Sequence, residues 1–388
     1  MSVRRDIIVV GGGIAGASAA YELAEFASVT LLERENQLGY HSTGRSAASF
    51  TENYGATVIR RLAIASRPFL QSPPSGFAEQ PLWSPRGMLT IARADQLELL
   101  SSKLEEGRAL VPSIHAIDIQ SALSRVPILR RDYVAGAFLE PDSRDLDVNA
   151  LHVGFIRGAR RRGAHVLTRA EVTLIEQSRG RWLLRTSHGR FEADILVNAA
   201  GAWADVLGEM SGLPPLGLIP KRRTAFHVRL PAGIDARAWP MVDDVAEEFY
   251  FKPDAGQLFV SPADATPSQP VDAYPEELDV AQGVERLERA TTLDVQHVSR
   301  SWAGLRCFVP DGGPVVGFED SGERFFWLAA QGGYGIKTSP ALARACAALV
   351  REYRLPRDLL ELGISADELS PARIRRTSRA AASGALAS

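Results

Sequence analysis

Apolar positions run along this chain in two rhythms. Short unbroken apolar runs bounded by glycine or polar residues read as buried strands, and runs with i, i+3, i+4 spacing read as helices. The first run, Asp6-Ile7-Ile8-Val9-Val10, feeds directly into Gly11-Gly12-Gly13-Ile14-Ala15-Gly16. Ala17, Ala19, Ala20, Leu23 and Ala24 then supply the small, apolar face of a helix. A second strand, Val29-Thr30-Leu31-Leu32, ends in Glu33. Further along, Gly87 to Ala92 reads as a strand and Leu97 to Leu110 as an amphipathic helix. Asp147 is placed to cap a helix running to Arg162. Strands follow from Ala164, from Glu171 to Glu176, from Arg181 to Thr186 and from Asp194 to Asn198. Phe249 to Gly256 is a strand with a turn, and Gln257 to Val260 returns from it. The last strand, Phe325 to Ala329, precedes a helix reaching Arg351.

The strand–turn–helix beginning at Asp6 has the chemistry of a dinucleotide site. Gly11 allows the tight turn, Gly13 lets backbone approach a pyrophosphate, and Gly16 lets helix pack on strand. The helix start offers free N–H groups and a positive dipole to phosphate. Glu33 is placed to accept hydrogen bonds from ribose hydroxyls. A second small-residue turn, Ala199-Ala200-Gly201-Ala202-Trp203, follows the strand ending at Asn198. A third, Gln331-Gly332-Gly333-Tyr334-Gly335, follows the last strand. Such turns at the start, middle and end predict a discontinuous cofactor domain with two inserts forming the other half.

Composition narrows the partners. At 388 residues the chain suggests two domains, and a net charge of −2 draws it toward neither nucleic acid nor anionic membrane. Two cysteines, Cys307 and Cys346, and seven scattered histidines offer no disulfide framework and no metal site. No apolar run reaches the roughly 18 residues of a membrane span, so the expected location is cytoplasmic, with peripheral membrane contact left open. The stretch from Pro371, rich in Arg, Ala and Ser, reads as a loose tail.

The segments Gly39 to Ala48, Pro220-Lys221-Arg222-Arg223, Phe249 to Gly256, Trp302 to Arg306, and Ala329 to Ile336 together resemble the D-amino-acid oxidase/glycine oxidase family of FAD-dependent enzymes. Within it they resemble the bacterial D-arginine dehydrogenase branch most. The resemblance implies an α/β fold of the glutathione-reductase-like type. A Rossmann-type FAD domain is expected over 1–82, 146–219 and 302–370. An α+β substrate domain with an antiparallel or mixed sheet is expected over 83–145 and 220–301, with a flexible tail over 371–388. FAD is expected to be bound non-covalently. Besides Gly11, Gly13, Ile14, Ala15, Gly16 and Glu33, the resemblance assigns to FAD binding Arg34, His41, Ser42, Thr43, Arg45, Ser46, Ala47, Ala48, Val172, Ala200, Gly201, Trp203, Gly304, Arg306, Gly332, Gly333, Tyr334, Gly335 and Ile336. Arg45 is open to two readings, a phosphate contact or a solvated charge.

The implied reaction is oxidative deamination of a D-amino acid. The Cα hydrogen leaves as hydride to flavin N5, and the imine hydrolyses to a 2-oxo acid and ammonia. Arg223 and Arg306 would hold the substrate carboxylate with Tyr250, because a guanidinium fork matches two carboxylate oxygens. Arg222 could exchange roles with its neighbour. Tyr54 resembles a lid residue, and Gly333 would present backbone near the flavin or the substrate amine. The helix after Tyr334 would aim its N-terminus at the flavin.

Arginine-specific relatives carry a histidine where this chain has Ser49, and a glutamate just after the equivalent of Ser84-Pro85-Arg86. Here Gly87 and Met88 follow. Loss of that acid predicts broader, neutral or apolar substrates, unless Glu247, Glu248 or Glu52 replaces it. Cys307 lies where some sarcosine-type relatives attach flavin covalently; a buried core cysteine is the alternative. Three other readings stay open: an oxidase of glycine, sarcosine or opine-type amines, the FAD subunit of a hetero-oligomer, and a 2-hydroxy-acid dehydrogenase. The electron acceptor, whether quinone, another carrier or oxygen, and the oligomeric state are left open.

Overall fold

A computed structural model of the chain describes residues 5–319 and 324–376. Two sheets dominate it. The first has six strands in the order Val315–Phe318, Phe325–Ala329, Ile195–Asn198, Asp6–Val10, Ser28–Leu32 and His165–Leu167. All neighbours are parallel except the pair formed by Val315–Phe318 and Phe325–Ala329. Its strands read as continuous apolar runs because both faces are covered. One face packs on the helices Ile14–Leu23, Thr57–Gln71, Val148–Arg161 and Gly335–Glu352. The other packs on a layer that includes Ile175, Trp182 and Leu184 of a small three-stranded sheet. The fold is the α/β class expected, with the β-α-β unit at its centre.

The second sheet has eight strands: Val298–Phe308, Ile219–Val228, Gln257–Ser261, Tyr250–Asp254, Met241–Asp244, Met88–Ala92, Gly136–Glu140 and His115–Ile117. It is antiparallel apart from one parallel pair, Met241–Asp244 with Met88–Ala92. Helices cover one face, burying Phe226, Phe249, Phe251, Leu258 and Leu287. The other face is turned toward the first sheet. The strand Val298–Phe308 pairs along its length with Ile219–Val228 in this second sheet. It therefore crosses the domain border expected at residue 302.

Local signals explain the element ends. Asp147 accepts a hydrogen bond from the Ala150 N–H at 2.7 Å, so the helix Val148–Arg161 starts where its cap residue stands. The helix Leu97–Leu110 has the bounds its spacing predicts. The loose tail is corrected in part. Residues 371–376 are helical, with Ile374 buried, Arg373 paired with Asp311 at 2.7 Å and Arg375 with Glu319 at 2.9 Å. Polar composition suggested a free segment, but the ion pairs and one apolar anchor hold it. The rest of that expected tail, 377–388, lies outside the described residues.

Gly16 is the tightest point of the first sheet. A Cβ there would stand 1.9 Å from the Gly11 carbonyl oxygen, which is rigid backbone. Gly16→Ala is expected to cost about 1–3 kcal/mol or more through overpacking. A thermal midpoint for the variant equal to that of the parent would contradict this packing.

Candidate functional site

A cavity of about 390 Å³ runs between the two sheets. At one end lie the three glycine-bearing turns. Gly11 has φ +110°, and a Cβ on it would meet the Ala199 carbonyl at 2.3 Å. This contact locks the first turn against the second. Gly13 instead faces open space, with only the Thr43 hydroxyl near its missing Cβ, at 3.2 Å. The helix Ile14–Leu23 starts here with no acidic residue in its first turn. Thr43 Oγ1 accepts the Ile14 N–H at 2.9 Å. Glu33 accepts N–H groups from Gly12 at 2.6 Å and Glu35 at 2.9 Å, and it lines the cavity. Arg34 stacks over the Trp203 ring at 3.9 Å, and the His41 ring lies 4.7 Å from it.

The middle of the cavity is walled by the segment Ser42 to Ala48. Ser42 Oγ donates to the Leu305 carbonyl at 2.6 Å. Arg45 donates to the carbonyls of Ala273 at 2.8 Å and Ala303 at 2.9 Å and pairs with Asp272. It thus ties this segment to the second sheet rather than standing as a solvated charge. Gly304 has no side chain to hold that segment off; a Cβ there would touch Arg45 Cβ at 3.3 Å. Ala48 and Ala330, both on the cavity wall, take left-handed φ values of +57° and +56°. Non-glycine residues keep such angles only where their surroundings impose them.

The far end is built on one face of the eight-stranded sheet. Arg223 stands opposite Gly304 and Arg306 opposite Lys221, so the two-residue period puts both arginines on the same face. Arg222, one residue over, turns away and pairs with Glu276 and with Asp279 at 3.0 Å. Of these two neighbours, Arg223 is the one that lines the cavity. Arg223 Nε donates to the Asp264 carbonyl at 2.6 Å, and Arg306 Nη2 donates to the Tyr250 hydroxyl at 3.3 Å. Among the described residues neither arginine pairs with a carboxylate. Burial pushes the Tyr250 hydroxyl up, but the charges of Arg306 and Arg223 outweigh it and hold the group below its ordinary value. Gly333 faces Arg306: a Cβ would stand 2.8 Å from its Nη1, so a larger residue would push the guanidinium from this position.

Tyr54 closes this end. Its hydroxyl donates to Glu247 at 3.3 Å, and its ring packs on Tyr334 at 5.3 Å. Lys337 holds the loop in place, donating to the Thr51 and Tyr54 carbonyls at 2.8 Å each. Nearby, Glu140 accepts the Thr51 hydroxyl at 2.7 Å and the Glu52 N–H at 3.3 Å. Burial drives the Lys337 ammonium down to about 7 and the Glu140 carboxyl up to about 7.

Nearly all the expected site residues share this cavity; two do not line it. Gly16 sits behind the first turn, and the Tyr334 ring packs between Tyr54 and Phe308. Lys337, Thr51, Glu140, Asp243 and Met241 were not singled out as site residues from sequence. Asp243 reaches the face of Tyr250 only through the antiparallel pairing of the two strands. Lys337 had no signal, since a lysine in the first turn of a helix reads as solvated.

The family model for FAD dependent oxidoreductases (DAO) matches residues 6–349. The chain belongs to that family. It is 24% identical over 380 residues to the glycine oxidase of Geobacillus kaustophilus, covering 94% of this chain and 98% of that one. It is 23% identical over 382 residues to the mitochondrial dimethylglycine dehydrogenase of Rattus norvegicus, covering 92% of this chain. The chain spans 44% of the length of that relative. A solved L-proline dehydrogenase from P. horikoshii shares the fold with TM-score 0.82 and 20% identity, covering 97% of this chain and 99% of that chain.

The cofactor of this family member is FAD. The residues fit it. Gly13 opens a space no side chain fills, the helix start behind it has no acid to repel a pyrophosphate, and Glu33 keeps lone pairs for ribose hydroxyls. Gly335, Ile336 and Lys337, the first turn of the helix Gly335–Glu352, reach the same cavity.

Glu140 also makes the site sensitive to pH. The folded chain keeps a proton on it that the unfolded chain releases above about 4.5. The associated stability is present below that value and fades as pH rises to about 7. Glu140→Gln is expected to flatten this loss in a series of thermal midpoints; a parallel pH dependence in parent and variant would refute it.

Proposed function

We propose that this chain oxidises the carbon–nitrogen bond of a carboxylate-bearing amine, its substrates being D-amino acids with neutral or apolar side chains. The observation that carries the proposal is the pair of cavity-facing arginines, Arg223 and Arg306, which form no ion pair with a carboxylate among the described residues. Two guanidinium groups in one sheltered space favour an anionic ligand, and a carboxylate matches their forked donors. The Tyr250 hydroxyl adds a further contact. FAD, when bound, supplies the two-electron acceptor. The chain's residues bind and orient: the arginines fix the carboxylate, Tyr54 covers the substrate, and Gly333 leaves Arg306 its place. Water then cleaves the imine product to a 2-oxo acid and ammonia.

The walls support the side-chain preference. Met88 and Met241 face the cavity from adjacent strands, and Met88 stands just after the segment where arginine-specific relatives place a glutamate. Two of the acids that could replace it are committed elsewhere. Glu52 is bound by Arg67 at 2.6 and 2.7 Å, and Glu248 by Arg93 at 2.8 and 2.9 Å. Glu247 does line the cavity but is held by Lys103 at 3.2 Å and Tyr54. The motif likeness to D-arginine dehydrogenases supports the D configuration. A second reading, a small or N-substituted amine, is supported by the likeness to glycine oxidase along nearly its whole length.

Anaerobic mixing with a panel of amino acids, followed by flavin bleaching, tests this reading. D-methionine or D-phenylalanine should bleach the flavin. D-arginine should not exceed them by more than about 100-fold, or about 2.7 kcal/mol. Arg306→Ala and Arg223→Ala should each lower the second-order rate, measured per bound FAD, by roughly 10²–10³-fold, the cost of stranding a buried partner charge. Bleaching by glycine or sarcosine alone moves the assignment to the second reading. Bleaching by none of these amines overturns the reading.

We further propose that the FAD is not covalently attached. Cys307 lines the cavity, but burial pushes its thiol up to about 12, leaving little thiolate to attack a flavin. Acid precipitation should release the yellow colour to the supernatant; colour retained in the pellet would reverse this assignment.

A further inference from the structure

Asp243 lines the cavity and, among the described residues, forms no ion pair and has no role in the scheme above. Asp243 stands opposite Tyr250 in antiparallel register and opposite Thr90 in parallel register, on the face that carries the arginines. Its Oδ1 accepts the Thr90 hydroxyl at 2.9 Å. Among the described residues its other oxygen accepts no hydrogen bond and the carboxyl joins no ion pair. Lys103, whose charge acts on Asp243, is paired with Glu247 at 3.2 Å. Two neighbouring acids have partners of their own, Asp244 accepting hydrogen bonds through its Oδ1 only. Asp244 accepts the Ala246 N–H at 2.9 Å and the Gln96 amide at 3.2 Å, and Asp145 holds Arg86 at 2.6 Å and Lys252 at 2.8 Å.

The surroundings also say which chemistry this carboxyl suits. Tyr250, whose hydroxyl is bonded to Arg306, is one strand away, a backbone separation of about 5 Å. The carboxylate clamp and Asp243 are therefore within reach of one amino acid. Met241 and Met88 flank it with apolar surface. Burial pushes the carboxyl up to about 7, with Glu247 and Glu140 adding to the rise. Near neutral pH it both donates and accepts, which suits a neutral group that does the same.

We propose that Asp243 selects the substrate side chain by exchanging hydrogen bonds with a neutral polar end, an amide or a hydroxyl, while Arg223 and Arg306 hold the carboxylate. This rests on the amine-oxidation reading and narrows its substrate class to D-amino acids of the glutamine or serine type.

The test uses the FAD-loaded enzyme with two variants and two readouts. Asp243→Leu removes the polar group; Asp243→Asn keeps it and the contact with Thr90. The first readout is the bleaching rate with D-glutamine against D-methionine. The second is binding of glutaramate against 5-methylhexanoate, similar in shape, followed by the shift in flavin absorbance without turnover. The parent and the Asn variant should favour the amide partner by about tenfold or more in both readouts, and the Leu variant should lose or invert that preference. Equal preference in parent and Leu variant overturns the role of Asp243, whether or not D-amino acids bleach the flavin. Absence of bleaching with an intact, Asp243-dependent binding preference overturns the amine reading and leaves the selector standing.

Discussion

Two like charges facing one cavity, neither in an ion pair among the described residues, set the terms for one end of this molecule. Arg223 and Arg306 lie on the same sheet face and both open to the same space. An arrangement like this is tolerable only if neighbouring dipoles are turned to the charges and a ligand completes them. The Asp264 carbonyl serves Arg223 and the Tyr250 hydroxyl serves Arg306. Every other arginine close to the site is already bound: Arg222 by acids of the helix Glu277–Ala290 and its cap, Arg45 by Asp272 and two carbonyls, Arg86 by Asp145. The contrast separates the charges that face open cavity from those that hold the fold.

The committed charges join the two sheets. Arg45 connects the segment after the β-α-β unit to the edge strand of the second sheet. Lys337 connects the helix Gly335–Glu352 to the loop that carries Tyr54, and Glu140 receives the other side of that loop. The glycine-bearing turns, the loop of Tyr54 and the cavity-facing arginines therefore hold one geometry although they come from distant parts of the chain. Glycine serves the same end where approach must be close: Gly304 under Arg45 and Gly333 beside Arg306.

Much of the cofactor end was legible in the chain because its signals are local. Gly11 and Gly13 lie within one turn, and Glu33 ends the very next strand, so spacing alone implied a shared ligand. Asp147 announced a helix start that a single hydrogen bond confirms. The substrate end was legible only through motif likeness. Arg222 and Arg223 are adjacent and chemically identical, and only the strand register separates a clamp from an ion pair. Glu52 and Glu248 looked equally available as acids until their arginine partners, 15 and 155 residues away, were seen. The segment from Pro371 looked free because its partners Asp311 and Glu319 lie far back in the chain.

The sequence by itself determined the α/β class, the dinucleotide turn and the strands and helices around it. These depend on residues a few positions apart, whose steric and hydrogen-bonding demands are met inside one element. Tertiary structure decided which charges face the cavity, that Gly333 lies against Arg306, that Lys337 is buried against two carbonyls, and that Asp243 faces the cavity opposite Tyr250. Those outcomes depend on burial and on partners brought together from separate strands. Local composition carries no record of which distant residue will share a side chain's low-dielectric surroundings.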